Sequence, residues 1–276
     1  MSITSNSIQE SFAAQDNIEF VDDSCVVVTA EEQSQPALVR ESWRIHAESY
    51  HNEGFVSRDA IDEDGFLELG LDKSRERSSN EYLLALDPED PRHAATMRKV
   101  HLGDGESYTE LPTHQMCEDL LSAEGAALLE LGYESQEHDL IEISALARTA
   151  NCNPVLLHKL IRSSIMRASG NGEIWVMSLV KRTHTALVDR MGPSNFRQIG
   201  EEFKIPDERV SRDVVLVPAV LEPDHFMTRL NRDYLAAPEG SKQKARLRQG
   251  LEFYSEAQEI ITPREQITSN NGVGNV

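Results

Sequence analysis

The chain has 276 residues, is 39% hydrophobic and carries a formal net charge of −20 at pH 7. That length suits one large domain, alone or with an extension, and leaves enough apolar material for a core. A surface this acidic argues against general nucleic-acid affinity, which depends on Lys and Arg neutralising phosphates, and against docking on anionic membranes.

Residues 1–16, rich in Ser, Asn and Gln, read as a disordered tail. Residues 17–28 read as a first strand region centred on Cys25-Val26-Val27-Val28. Pro36 sits in the first turn of a helix running to about Asn52, with Val39, Trp43, His46, Ala47 and Tyr50 on one face and Arg40 and Arg44 on its flank. The charged stretch 57–80 reads as solvated loop or short helix. Strands at 81–86 and 94–102 form a hairpin across a turn holding Pro88 and Pro91. A helix follows from about Gln115 to Leu131, with Gly132 at its stop.

Residues 140–148 form the next strand, and Pro154 opens a helix to about Ser169 that Gly170-Asn171-Gly172 stops. A strand at 173–180 and a helix at 181–191 complete an unbroken strand–helix–strand–helix unit. A short strand at 196–200 and a stronger one at 213–220, interrupted by Pro218, come next. A helix opens at Pro223 and reaches about Leu235. A polar, basic helix from Glu239 to about Ile261 and a mobile Ser/Asn/Gly-rich end close the chain. A hairpin placed among helix crossovers implies α/β architecture: a mixed, largely antiparallel sheet with helices on both faces. The domain spans 17–235, with 236–276 as a helical extension and tail.

Charge is divided unevenly. Residues 1–142 hold 9 Lys/Arg against 32 Asp/Glu, whereas residues 143–190 hold Arg148, Lys159, Arg162, Arg167, Lys181, Arg182 and Arg190 against Glu173 and Asp189. A basic island where a strand opens onto a helix N-terminus suits an anionic ligand. Three cysteines, Cys25, Cys117 and Cys152, cannot all pair within one chain, and the N-terminus has no signal-peptide pattern, so a cytoplasmic protein with reduced thiols is expected. The longest apolar run, 214–221, is too short to span a bilayer. The nine histidines show no HExxH or paired-ligand spacing, which argues against a metal site.

Four short motifs carry a resemblance. They are Arg44-Ile45-His46 followed by Glu53-Gly54-Phe55, Thr96-Met97-Arg98, Leu111-Pro112-Thr113 and Glu142-Ile143-Ser144. In this order the chain resembles the GNAT acyltransferase superfamily, nearest to its branch of acyl-homoserine-lactone (autoinducer) synthases and N-acyl amino acid synthases. Two departures stand out: Ala95 occupies a usual glycine position, and Ala145 stands where the family has an arginine. The glycine-rich phosphate turn is only echoed by Arg148-Thr149-Ala150-Asn151-Cys152-Asn153.

The resemblance implies transfer of an acyl group from a thioester of coenzyme A or acyl carrier protein to an amine, with no permanently bound cofactor. Glu142 is then the candidate base, or else half of an ion pair with Arg98 or Arg148. On unbroken strand alternation it shares a face with Leu140, Ser144, Leu146 and Arg148. Arg98 would hold an acceptor's carboxylate, or else be an edge-strand arginine in solvent. Ser144 and Arg44 complete the substrate side, although Glu48 at i+4 offers Arg44 a local partner. Arg148, Asn151 and Asn153, with the N–H groups near Leu156 and Leu157, would receive the donor's phosphates, Asn153 also capping the helix. His158, Lys159 and Arg162 face outward, as an ordinary solvated helix face or as a place where an acidic carrier protein would dock. Two other readings remain: a non-catalytic protein of the same fold that binds an acyl thioester or a protein partner, and a DNA-binding regulator built on a helix-turn-helix-like pattern at 196–212. Those residues carry equal numbers of acids and bases, and their apolar positions also suit a lid on the sheet.

Overall fold

The computed structural model describes residues 18–22, 25–31, 34–67, 80–87, 89–90, 92–102, 106–134 and 139–260. Strands β1 (Ile18–Asp22), β2 (Cys25–Ala30), β3 (Asn80–Leu86), β4 (Ala94–His101) and β5 (Asp139–Arg148) make an antiparallel run. The helix α4 (Pro154–Ala168) then carries the chain across to β6 (Glu173–Val180), which pairs parallel with β5. Parallel strands need a crossover of this kind. β8 (Leu216–Leu221) lies antiparallel beside β6, with the two-residue β7 (Arg197–Gln198) outside it. Among the described residues the sheet has eight strands, in the order β1-β2-β3-β4-β5-β6-β8-β7.

Helices cover both faces. Alternation along the central strands sorts the apolar side chains into two sets. Val27, Leu83, Ala85, Met97, Ile141, Ile143 and Trp175 face α4, α5 (Lys181–Met191), α6 (Phe226–Ala236) and α7 (Lys242–Ile260). Val26, Val28, Tyr82 and Leu84 face α1 (Pro36–Asn52), packed on its Val39, Trp43 and Ile45. Farther along that second face, Leu140, Ile174 and Val176 pack on α3 (Ala123–Glu134) through Leu129.

The expected mixed α/β architecture is present, with local corrections. The first strand region is two antiparallel strands. The single helix expected at 115–131 is instead α2 (Pro112–Cys117), a 3-10 turn at Glu118–Leu120, and α3. Pro112 starts α2 three residues early because its fixed φ suits a first helical turn. Ser122 restarts the helix by accepting a hydrogen bond from the Gly125 N–H at 2.9 Å. The C-terminal extension is packed: Leu247 and Tyr254 are fully buried.

Residues 196–215 hold no α-helix, only a short strand and isolated bridges such as Val56↔Val210 and Phe203↔Leu216. Their apolar side chains, Phe203, Val210 and Val214, pack with Val56 and Cys117. The helix-turn-helix reading is therefore corrected: the pattern covers the sheet edge. Among the described residues, no helix is long and apolar enough to cross a membrane. The expectations for residues 1–16, 68–79 and 261–276 lie outside the described residues.

Candidate active site

β5 and β6 pair from Asp139↔Glu173 to Glu142↔Val176 and no farther. Past that point each holds to its other neighbour, β5 to β4 as far as Arg148 and β6 to β8 as far as Val180. Among the described residues, no ladder joins 143–148 to 177–180. The sheet parts between its parallel strands. Backbone N–H and C=O groups on the facing edges are left to whatever enters the gap.

A bulge marks the parting. Arg98 lies opposite Ser144 and Thr96 opposite Ala147, so Ala145 and Leu146 together face Met97. Ala145 takes φ 51°, the left-handed conformation that glycine ordinarily supplies at the first residue of such a bulge. The extra residue inverts the alternation. Leu146 joins Ile143 and Trp175 on the α4 side, and Ala147 joins Tyr82 and Trp43 on the α1 side. The expectation that Leu146 and Arg148 share the face of Glu142 is corrected, because it assumed an unbroken strand.

The two sides of the gap differ in chemistry. On the α4 side, Ile143, Leu146, Trp175, Met177, Leu179 and Leu187 line an apolar cavity of about 20 Å³, close to the size of one water. The opposite side is polar. Glu142, 2% exposed, accepts the backbone N–H of Thr113 at 2.8 Å and its hydroxyl at 3.1 Å. The Thr113 hydroxyl in turn lies 3.0 Å from the hydroxyl of Ser178, on the half of β6 that has left β5. Val180, two residues on along the same strand face, lines an open cavity of about 460 Å³ with Glu53, Phe55, Lys181, Arg182 and Asp213. Arg182 pairs there with Glu53 and lies 4.4 Å from the centre of the Phe55 ring.

Glu142 lies apart from residues 151–157 at the start of α4. Its carboxylate is on the opposite face of the sheet from α4, against the start of α2, because Thr113 follows Pro112 at the helix opening with its N–H unbonded within the helix. Arg98 is also buried, 2% exposed, with its guanidinium 4.7 Å from the Trp43 ring and its Nε donating to Ser144 Oγ at 2.7 Å. The edge-strand alternative for Arg98 falls, since β4 is interior to the sheet. Glu142, Ser144 and Arg98 are thus brought together on one side of the gap. Arg44 is not among them. It is held on the outer flank of α1 by Glu41 and Glu48, the hydrogen bond to Glu41 raising its pKa most.

At the start of α4 the expected anion donors are engaged. Asn153 accepts from the Val155 N–H at 3.0 Å through its side chain, and its carbonyl accepts from the Leu156 N–H at 2.9 Å. Arg148 donates to the Cys152 carbonyl at 2.9 Å, bracing the turn, while Asn151 is exposed. Leu156 is buried in the core and Leu157 half-buried against it. Burial pushes the Cys152 thiol up to about 11, so the helix start does not activate it.

The docking face expected on α4 is corrected too. α7 lies across it: Arg162, 3% exposed, donates to the Phe253 carbonyl at 2.9 Å and stacks on that ring. His158 also meets Phe253, and burial lowers its pKa to about 4. Sequence reasoning missed Ser178 and gave Thr113 no role. Leu-Pro-Thr as a helix start facing an acidic strand residue was the available signal for Thr113.

A mixed, largely antiparallel sheet with helices on both faces is the fold class that the sequence resemblance implies. Solved structures similar to this chain include FeeM, an N-acyl amino acid synthase from uncultured soil microbes, at 15% identity and TM-score 0.49, covering 74% of this chain and 94% of that one. MesI, a CoA-dependent acyl-homoserine lactone synthase, is similar at 10% identity and TM-score 0.45 over 82% of this chain and 95% of its own. Escherichia coli ElaA is similar at 9% identity and TM-score 0.41 over 74% and 99%. The likeness is one of overall fold. No family model matches the chain, and no curated protein matches it.

Proposed function

We propose that the protein is an N-acyltransferase, moving an acyl group from a thioester to an amine such as that of an amino acid. The observation that carries this reading is the parted sheet, lined by Ile143, Leu146, Met177 and Leu179 on one side and by the Glu142–Thr113–Ser178 contacts on the other. An extended, amide-bearing arm such as phosphopantetheine can pair with the free strand edges as an added strand would. Its acyl chain would run to the side of Leu146 and Met177, which must part to widen the slot. The acceptor would come from the polar cavity, where Arg182, Lys181, Glu53 and Asp213 suit a zwitterion.

Amine attack on the thioester carbonyl places negative charge on its oxygen. Backbone N–H groups freed at the Ala145 bulge are fixed donors for that charge, and being fixed they need no reorganisation when it forms. Glu142 is the carboxylate available to receive the amine proton, with Ser144 and Arg98 beside it. Coenzyme A is favoured over a carrier protein as donor, because α7 covers the α4 face on which an acidic carrier was expected. Residues Arg148 and Asn151 would then meet the phosphates, with Asn153 holding the helix start as its cap. A non-catalytic protein of the same fold that binds an acyl thioester or a protein partner is the second reading, and Ala145 where the resemblance implies an arginine favours it.

The test is direct. Purified protein incubated with acyl-CoAs of graded chain length and a pool of amino acids is expected to form N-acyl product detectable by mass spectrometry. No product at any chain length, with either CoA or carrier-protein donors, would leave the binding reading in its place.

A further inference from the structure

Glu142 cannot touch an amine in the gap, because both its carboxylate oxygens face Thr113. A path nevertheless leads from it to the gap. An ionised carboxylate only accepts, so the Thr113 hydroxyl donates to Glu142 Oε1, and the single remaining arrangement of the next contact has Ser178 donating to Thr113 Oγ1. Both contacts, 3.1 and 3.0 Å, are within hydrogen-bond range. Ser178 Oγ is then left as an acceptor. Ser178 is half-buried where β6 has left β5, one strand step inside Val180 of the polar cavity, whereas Thr113 is fully buried.

Resting on the acyltransferase reading above, we propose that Ser178 is the residue that meets the attacking amine, and that Ser178, Thr113 and Glu142 form a proton relay. The amine lone pair forms the N–C bond while the carbonyl π pair moves to oxygen. The nitrogen's surplus proton passes to Ser178 Oγ as the Ser178 proton moves to Thr113 Oγ1 and the Thr113 proton to Glu142 Oε1. Collapse of the oxyanion re-forms the carbonyl and breaks the C–S bond. The proton stored on Glu142 returns along the same hydroxyls to the leaving thiolate, so amine and thioester become amide and thiol with no net proton change. Ser178 is catalytic in this scheme, and Thr113 positions and conducts.

Steady-state kinetics on the full-length chain, with acyl-CoA and the acceptor that yields product, test the relay across pH 6–9, roughly the working range of such groups. Ser178→Ala and Thr113→Val are each expected to lower kcat by about 10²-fold with KM little changed, the size of effect usual for general acid–base groups. Ser178→Thr and Thr113→Ser should restore most of it, which a packing role alone would not produce. Glu142→Gln, which keeps the size of the side chain but cannot take up the proton, should lower kcat at least as much as either. Active wild type with Ser178→Ala and Thr113→Val both within about threefold of it, against the usual effect, overturns the relay and leaves the transferase standing. Inactive wild type overturns both.

Discussion

Ala145 holds a left-handed backbone, φ 51°, while 6% exposed in the middle of a sheet. A non-glycine residue there costs about 1–3 kcal/mol that its surroundings must offset. Ala145→Val is therefore expected to destabilise by about 2 kcal/mol or more, since a β-branched side chain tolerates that conformation least. Ala145→Gly should be neutral or gain up to about 1 kcal/mol, the relief being partly offset by the freer unfolded chain. Urea unfolding of the two variants checks this; equal loss in both would mean that the bulge does not depend on backbone conformation. Asn153 makes a second residue-scale case. As a helix cap, its change to Ala should cost about 1 kcal/mol, seen in the urea midpoint, without raising the KM for the thioester. A raised KM at unchanged stability would restore it as a phosphate ligand.

His158 gives the stability a pH dependence whose sign is fixed by burial. The ring is kept neutral in the folded chain, its pKa lowered from 6.5 to about 4, first by burial and then by Arg190. As pH falls, the unfolded chain takes up the proton first, so this contribution is whole above pH 6.5 and is lost between there and about pH 4. It amounts to at most about 3 kcal/mol. His158→Phe should flatten that part of the stability profile in urea titrations run from pH 7.5 to about 4.5. An unchanged slope would assign it to other groups.

At the scale of elements, α7 changes the character of α4. From sequence, α4 is an amphipathic helix with a basic outer side; in the fold, Arg162 and His158 are under Phe253. α7 also lies close on α5 at Gly250, where an added Cβ would fall 2.0 Å from the Arg190 carbonyl oxygen. Gly250→Ala improves helix propensity yet is expected to destabilise by about 1–3 kcal/mol, the cost typical of overpacking, as a lowered thermal midpoint would register. A raised midpoint would mean that α7 does not lie so close.

The elements themselves were legible because their signals are local. Pro36, Pro154 and Gly192 mark helix ends, and α1, β6 and α5 fall where periodicity places them. The break between α2 and α3 was not legible, because Ser122 as a cap looks like any serine. The site was legible in part. Glu142, Ser144 and Arg98 do gather, but the bulge that reassigns Leu146 has no glycine to announce it. Ser178 sits in a strand where nothing local sets it apart. Its meaning comes from Thr113, 65 residues away.

At the scale of the molecule, the account rests on two parallel strands that begin together and separate. Each is secured by its outer neighbour, so the gap needs no ligand to keep it from closing into a continuous ladder. The buried Lys99–Glu173 pair, 2.9 Å long, joins β4 to the first residue of β6 at the closed end. The apolar slot is nearly filled at rest, so on the proposed function an acyl chain would have to move Leu146, Met177 and their neighbours.

Amide hydrogen exchange with and without a non-cleavable acyl-CoA thioether tests this most directly. New protection is expected along residues 143–148 and 177–180 together, where the strand edges gain a partner, with residues 139–142 and 173–176 unchanged. Binding that protects some other surface, or no protection anywhere at saturating ligand, would contradict it.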